Sequence, residues 1–264
     1  MAITTLDGYL AAAKQKIPYT KTAARATVAN GWFSLFDLAG QPGAGTLAGS
    51  STTAGVAPDA TTTGCPRINA FGGGATGYLT RVECASTVAC RIAVFDLLFK
   101  CGAYAFNANT ALSAQPSYLG REPNGTGQDC ELWVETVTAA TGNQTWNVTY
   151  TNSAGTGSRT TGAVGIGAAP TLGRCWQLPL QAGDAGVQKI DNVAGGTGSA
   201  GTANILVLRP LWTDRIPIAN FGVVHDLIRS GMPRIYDTTA LFVMVCADST
   251  GGGIPELSFQ VSNG

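Results

Sequence analysis

The sequence predicts a mainly β protein, a jelly-roll-like β-sandwich with a short N-terminal helix and long Gly/Ser/Thr-rich loops. Roughly ten short apolar or alternating segments are typical of strands, and Gly-rich turns separate them. These segments do not alternate with helices of about 10–15 residues, which argues against a parallel α/β sheet. No repeat of fixed period is present, so a propeller or a solenoid is disfavoured and a sandwich is favoured.

The first predicted element is an N-terminal helical arm over residues 1–20. Thr4 or Thr5 can cap it, Asp7 lies in its first turn, where the helix dipole favours a negative charge, and Pro18 should stop it. An apolar stripe with helical spacing forms the candidate partner-docking surface: Leu6, Tyr9, Leu10 and Ile17. The stripe either packs on its own domain or docks on a neighbouring molecule.

Residues 21–264 are predicted to form one β-sandwich domain. Its long loop at 41–64 consists mostly of Gly, Ala, Ser, Thr and Pro and carries a single charge, Asp59. Such a segment cannot bury enough apolar area to fold alone, so a partner can hold it in place. Before the loop, residues 25–36 have the composition of a strand.

After this loop, strand patterns dominate the sequence. Residues 78–82 and 91–99 are predicted to pair, and residues 132–138 and 145–151 are predicted to form a hairpin. Trp146, Val148 and Tyr150 alternate with polar residues, a period of two that places one face on a core. The further strands predicted are 176–180, 186–193, 204–211, 241–247 and 257–261. Residues 221–229 are the only other helical candidate.

The composition excludes several classes of partner. Sixteen basic and sixteen acidic residues cancel, and charged residues make up 12% of the chain, against about 25% in an ordinary domain. No run of basic residues is present, so neither nucleic acid nor an anionic membrane is expected as a partner. Two interpretations of the low charge stay open: a loop-rich β protein with a Ser/Thr/Asn surface, or a subunit whose surface is covered in an assembly.

No motif predicts catalysis, a cofactor or a metal site, so the chain is not expected to be an enzyme. His225 is the single histidine, no G-x-S-x-G elbow accompanies it, and it is interpreted as structural. None of the seven cysteines is spaced as a zinc ligand pair. The N-terminus lacks the pattern of a secretory signal, which favours reduced, buried thiols in a cytosolic setting.

Tryptophan provides the alternative from a different class, glycan binding. Aromatic side chains can line a sugar groove, although strand tryptophans more commonly pack in cores. The five tryptophans of the chain are Trp32, Trp133, Trp146, Trp176 and Trp212.

Several segments give the chain a resemblance to virion structural proteins of tailed bacteriophages. They are MAITTLDGYLAAAKQKI, TAARATVANGWFSLFDLAGQPGAGTLAG, INAFGGGATGYLTRVE, RCWQLPLQAGDAGVQKIDNV and LRPLWTDRIP. Within that class, the size and the predicted β content resemble capsid cement or decoration proteins. The resemblance implies a homotrimer on the capsid surface, assembled in the host cytoplasm, that clamps major capsid proteins together. The nearest alternative is a tail or receptor-binding (glycan-binding) virion protein.

Overall fold

The structure is a computed structural model that describes residues 3–167, 170–196 and 200–264. It contains one short α-helix, α1 (Leu6–Ala11), a 3-10 turn at Leu119–Arg121, and seventeen strands. In chain order the strands are β1 (Ala13–Lys21), β2 (Trp32–Ser34), β3 (Gly40–Gln41), β4 (Gly77–Ser86), β5 (Cys90–Ala105), β6 (Asn109–Ala111), β7 (Glu131–Thr138), β8 (Thr145–Asn152), β9 (Arg159–Thr160), β10 (Val164–Gly165), β11 (Arg174–Leu178), β12 (Val187–Gly195), β13 (Thr202–Ile216), β14 (Val223–His225), β15 (Arg234–Ile235), β16 (Leu241–Ala247) and β17 (Pro255–Asn263). The predicted mainly β, sandwich-like class with a short N-terminal helix is confirmed.

A closed six-stranded barrel occupies the middle of the molecule, with strand order β11-β2-β16-β5-β13-β7. Two sheets flank it. The terminal sheet, named for its chain-end strands β1 and β17, has the order β14-β4-β17-β1-β3, with β15 also paired to β4. The lateral sheet has the order β10-β8-β12-β6, with β9 also paired to β8. Each flanking sheet therefore forms a sandwich with one part of the barrel wall.

Three hydrophobic clusters follow from this arrangement, because successive residues of a strand point to opposite faces. On β5, Ile92 and Val94 pack with the terminal sheet, whereas Ala93 and Phe95 belong to the cluster inside the barrel. Further along the same strand, Phe99 and its neighbours pack with the lateral sheet. One long strand thus contributes to all three clusters, which explains its nearly continuous apolar sequence.

A buried charge network lies on β5 where the two outer clusters meet. Asp96 is fully buried and contacts two buried arginines, with 3.3 Å from Oδ1 to Arg121 Nη1 and 3.3 Å from Oδ2 to Arg209 Nη2. The Thr239 hydroxyl and the Ala240 backbone N–H also donate to this carboxylate. Buried charges are tolerated when they are paired and hydrogen-bonded, as here.

The loop at 41–64 is irregular, as predicted, but the body of the protein holds it. Val56 and Lys100 exchange both backbone hydrogen bonds at 2.9 Å, and Tyr104 Oη donates to the Thr52 carbonyl at 2.6 Å. The buried side chain of Asn204 bonds to two backbone groups of the loop at 2.7 and 2.8 Å. The loop is therefore part of the folded body.

The N-terminal segment corrects the prediction of a helical arm over residues 1–20. The Thr5 cap is confirmed, since its hydroxyl accepts from the Gly8 N–H at 3.0 Å, but α1 ends at Ala11. Lys14 Nζ then bonds to three carbonyls at the helix end. Residues 13–21 form β1, which pairs with β17 along its length, because the buried positions there alternate with a period of two.

Two other sequence predictions were wrong. Residues 221–229 are not a helix; they contain the short strand β14 and a turn. The predicted pairings also fail, because β4 pairs with β17 and β5 with β13, while β7 pairs with β13 and β8 with β12. The four strands themselves were predicted, but partners adjacent in sequence proved to lie in different sheets. Of the strand predicted at residues 25–36, only residues 32–34 form one, β2.

All seven cysteines are buried and unpaired, as predicted. Burial raises the pKa of the thiols of Cys65, Cys84, Cys101 and Cys130 to about 12. In the part of the chain that the structure describes, no helix combines the length and apolar character needed to cross a membrane.

Candidate functional sites

The structure separates the four residues of the predicted docking stripe. Leu6 and Leu10 stay together on α1, and each is 65% exposed. Tyr9 is half-buried, and its hydroxyl accepts from Gln260 Nε2 at 3.0 Å. Ile17 lies in β1 and is buried in the core of the terminal sheet. The stripe is therefore reduced to a pair of exposed leucines, and their docking on a partner stays a prediction.

A larger apolar surface, which sequence reasoning missed, surrounds the edge strand β14. We call it the apolar rim, and its residues are Ile218 (64% exposed), Phe221 (51%), Val224 (48%) and Ile228 (85%). The spacing of three and four residues among them suggested a helix, although the chain is extended and turned here. Hydrophobic periodicity identifies side chains that pack on a core. Because the rim residues are exposed to solvent, periodicity could not have identified the rim.

The turn that carries Ile228 is fixed by hydrogen bonds. Asp226 Oδ1 accepts the backbone N–H groups of Ile228 and Arg229, each at 3.1 Å, and these bonds lower the pKa of the Asp226 carboxyl. Ser230 Oγ donates to the Leu79 carbonyl at 3.1 Å and ties the end of the turn to β4. The exposed position of Ile228 is thus built into the turn, and hydrophobic burial within the chain does not compensate for it.

His225 lies on β14, between the rim residues Val224 and Ile228. It is buried, its Nδ1 accepts from Trp212 Nε1 at 2.9 Å, and its Nε2 is in contact with the Asp214 carboxylate. Both ring nitrogens therefore face partners inside the protein. This arrangement fixes β14 against β13.

The second candidate site is a pocket of about 490 Å³ at one end of the barrel. Five of the six barrel strands contribute to its lining, together with Arg229 and Ser230. Three of the five tryptophans converge here: Trp32 from β2, Trp133 from β7 and Trp212 from β13. Trp146 is instead fully buried under the lateral sheet, and Trp176 stacks on the Arg174 guanidinium at 4.8 Å.

Hydrogen bonds orient two of the three pocket tryptophans. Trp133 Nε1 donates to Glu131 Oε2 at 2.8 Å, and its ring meets Phe95 edge-on at 5.8 Å. Trp212 Nε1 donates to His225, as described above. Because both indole N–H groups are occupied within the protein, these side chains offer mainly carbon surface to the pocket.

Glu131 is the carboxylate of this lining. Burial raises the pKa of its carboxyl, and hydrogen bonds from Trp133 and Gln177 partly offset that effect. The carboxylate and Trp133 share one face of β7, since they are two residues apart on a strand. The two-residue spacing between Glu131 and Trp133 on a strand could therefore have indicated from the sequence that the two side chains lie together.

No cluster of three or more His, Cys, Asp or Glu side chains that could hold a metal ion occurs among the described residues. The sequence matches no protein-family model and no curated protein.

Among solved structures, the chain is similar to three from infectious bursal disease virus. A structure of the Gx strain aligns with 9% identity and a TM-score of 0.21, covering 96% of this chain and 80% of that one. For the VP2 subviral particle the identity is 11% and the TM-score is 0.21, covering 96% of this chain and 79% of that one. For the virus-derived T=1 particle the identity is 9% and the TM-score is 0.20, covering 96% of this chain and 77% of that one. TM-scores of this size support no conclusion about fold or function, so the functional argument rests on the surfaces of this chain.

Proposed function

We propose that this chain is a structural protein of a virus particle, which functions by packing against copies of itself and against neighbouring shell proteins. The observation that carries the proposal is the apolar rim. Its four large apolar side chains are exposed within one short stretch of the chain, and exposed apolar surface often marks sites of association. Ile228 is the strongest case, because a side chain that is 85% exposed gains no stability from its own fold.

The low charge of the surface supports the same proposal. With charged residues at 12% of the chain, repulsion between neighbouring copies is weak. A lattice protein sums many modest contacts, since linking several weak sites multiplies their affinities. The rim on β14 and the pair Leu6 and Leu10 on α1 offer two separate apolar surfaces for such contacts.

The finer proposal is a cement or decoration protein of a tailed bacteriophage. In it, a homotrimer sits on the capsid surface, clamps major capsid proteins, is assembled in the host cytoplasm and catalyses no reaction. Its support is the resemblance of the five sequence segments given above. A particle reconstruction tests it directly: hundreds of copies on the head lattice are expected, whereas a handful at the tail would favour a receptor-binding role.

A solution experiment tests the coarser proposal. Sedimentation equilibrium of the wild type should show self-association into an oligomer, and Phe221→Ser with Ile228→Ser should shift it towards monomer. Burying each such side chain contributes about 1.5–3 kcal/mol, so the association constant should fall by roughly 10²-fold or more.

The matched control is Leu172→Ser, because Leu172 is an exposed leucine (42%) that lies outside the rim. This control should leave association unchanged. A wild type that stays monomeric at high concentration and binds no shell protein would contradict the proposal.

A further inference from the structure

Beyond association, we propose that the pocket at the end of the barrel binds a neutral hexose unit of a glycan. The observation is that Trp32, Trp133 and Trp212 line one pocket together with Glu131, which accepts a hydrogen bond from Trp133. Trp133 and Trp212 pack in two different hydrophobic clusters, and together with Trp32 they line the same cavity. The volume, about 490 Å³, falls within the roughly 300–1,000 Å³ typical of small-molecule pockets.

Trp32 is the platform of this site. It is half-buried, whereas Trp133 and Trp212 are only 5% and 7% exposed and form the floor. The guanidinium of Arg91 lies 5.5 Å from the Trp32 ring centroid and fixes the ring in place. The electron-rich face of an aromatic ring attracts the partly positive C–H groups that line one face of a pyranose.

The polar groups fit the hydroxyl edge of the same sugar. Glu131 is fixed by Trp133 and Gln177, and a carboxylate accepts hydrogen bonds from adjacent hydroxyls. The exposed side chains of Gln177 and Arg229 add an amide and a guanidinium at the pocket border. Apolar walls with a few convergent polar groups are the usual composition of a specific ligand site.

The lining favours binding over hydrolysis and a neutral sugar over an anionic ligand. Of the described residues that line the pocket, Glu131 is the only carboxylate, whereas glycoside hydrolysis typically uses a pair. Arg229 is the only basic residue among them, which is too few for phosphate recognition. The Glu131 carboxylate in the lining would also repel an anionic sugar.

Isothermal titration of the full chain with maltohexaose, cellohexaose and mannohexaose tests the inference, with sialyllactose as the anionic probe. At least one neutral probe should bind with millimolar or tighter affinity. Trp32→Ala should weaken that binding at least tenfold, Trp32→Phe should restore most of it, and Glu131→Gln should weaken it several-fold.

Trp176→Ala is the matched control, because Trp176 is also half-buried on a barrel strand but lies outside the pocket. It should bind like the wild type, and thermal unfolding of each variant verifies that it is folded. Absence of binding to every neutral probe, binding of sialyllactose alone, or equal loss in Trp32→Ala and Trp176→Ala would each overturn the inference. These outcomes are independent of association through the apolar rim.

Discussion

The Asp96 network and the apolar rim both depart from the usual distribution of side chains. The network places charged groups inside the protein, and the rim places large apolar groups at its surface. Around Asp96, three charged side chains lie inside the protein, with Asp96 fully buried and Arg121 and Arg209 at 8% and 5% exposure. At the rim, four large apolar side chains lie outside. Ion pairs and hydrogen bonds within the chain offset the cost of burying the charges. Among the described residues, nothing covers the exposed apolar side chains of the rim.

This difference separates stability from association. A buried charge whose partners are removed must destabilise the fold, because the remaining charges stay desolvated. An exposed apolar group contributes little to the fold but gains free energy when a partner covers it. Substitutions in the two regions should therefore change different measured quantities, and the predictions below test that separation.

The largest effect is expected at the N-terminus, where the exposed helix α1 precedes the core strand β1. Deleting residues 1–20 removes β1, which pairs with β17 and carries the buried side chains of Ile17 and Tyr19. This truncation should abolish the cooperative unfolding transition measured by circular dichroism. Deleting residues 1–12 removes α1 alone and should leave that transition in place, so a folded protein without residues 1–20 would contradict the assignment of β1 to the core.

The next effect concerns the buried charges. Asp96→Ala leaves two arginines buried without their carboxylate, so the free energy of unfolding should fall by about 3–5 kcal/mol. Urea denaturation measures this change. Asp248→Ala is the control, because Asp248 pairs with the exposed Arg215 at 2.8 Å, and loss of such a surface pair should cost less than about 1 kcal/mol. Equal losses in the two variants would show that the network is not needed for stability.

A smaller change in stability is expected at the rim. Ile228→Ser should alter the free energy of unfolding of the monomer by less than about 0.5 kcal/mol, the usual range for surface substitutions. The same substitution should weaken self-association in sedimentation experiments. A loss of several kcal/mol in monomer stability would show that Ile228 is covered by its own chain and would remove the main support for an interface.

The smallest expected effect concerns the cysteine thiols, which should not react in the native protein. Because burial raises the pKa of Cys65, Cys84, Cys101 and Cys130 to about 12, these thiols stay protonated and shielded at pH 8. A thiol-reactive disulfide reagent should modify none of the seven cysteines of the native protein within minutes and all seven in denaturant. Rapid modification of native protein would place at least one thiol at the surface.

Local patterns identified most strands correctly, because alternation is a property of neighbouring residues. Trp146, Val148 and Tyr150 are all fully buried, as their period of two required. The apolar run at 241–247 became β16 with the predicted ends. At 221–229 the same kind of reasoning failed, since the rim residues mimic helical spacing while exposed to solvent.

Composition and spacing along the chain were enough to predict the fold class, the positions of most strands, the buried thiols and the low charge. Strand pairing, the closed barrel and its two flanking sheets were decided only in three dimensions, since β5 and β13 are far apart in sequence yet pair along most of their length. The meeting of Trp32, Trp133 and Trp212, and the exposure of Ile228, follow from that same non-local pairing. Backbone hydrogen bonds are alike at every residue, so only burial of the side chains over the whole fold selects which strands meet.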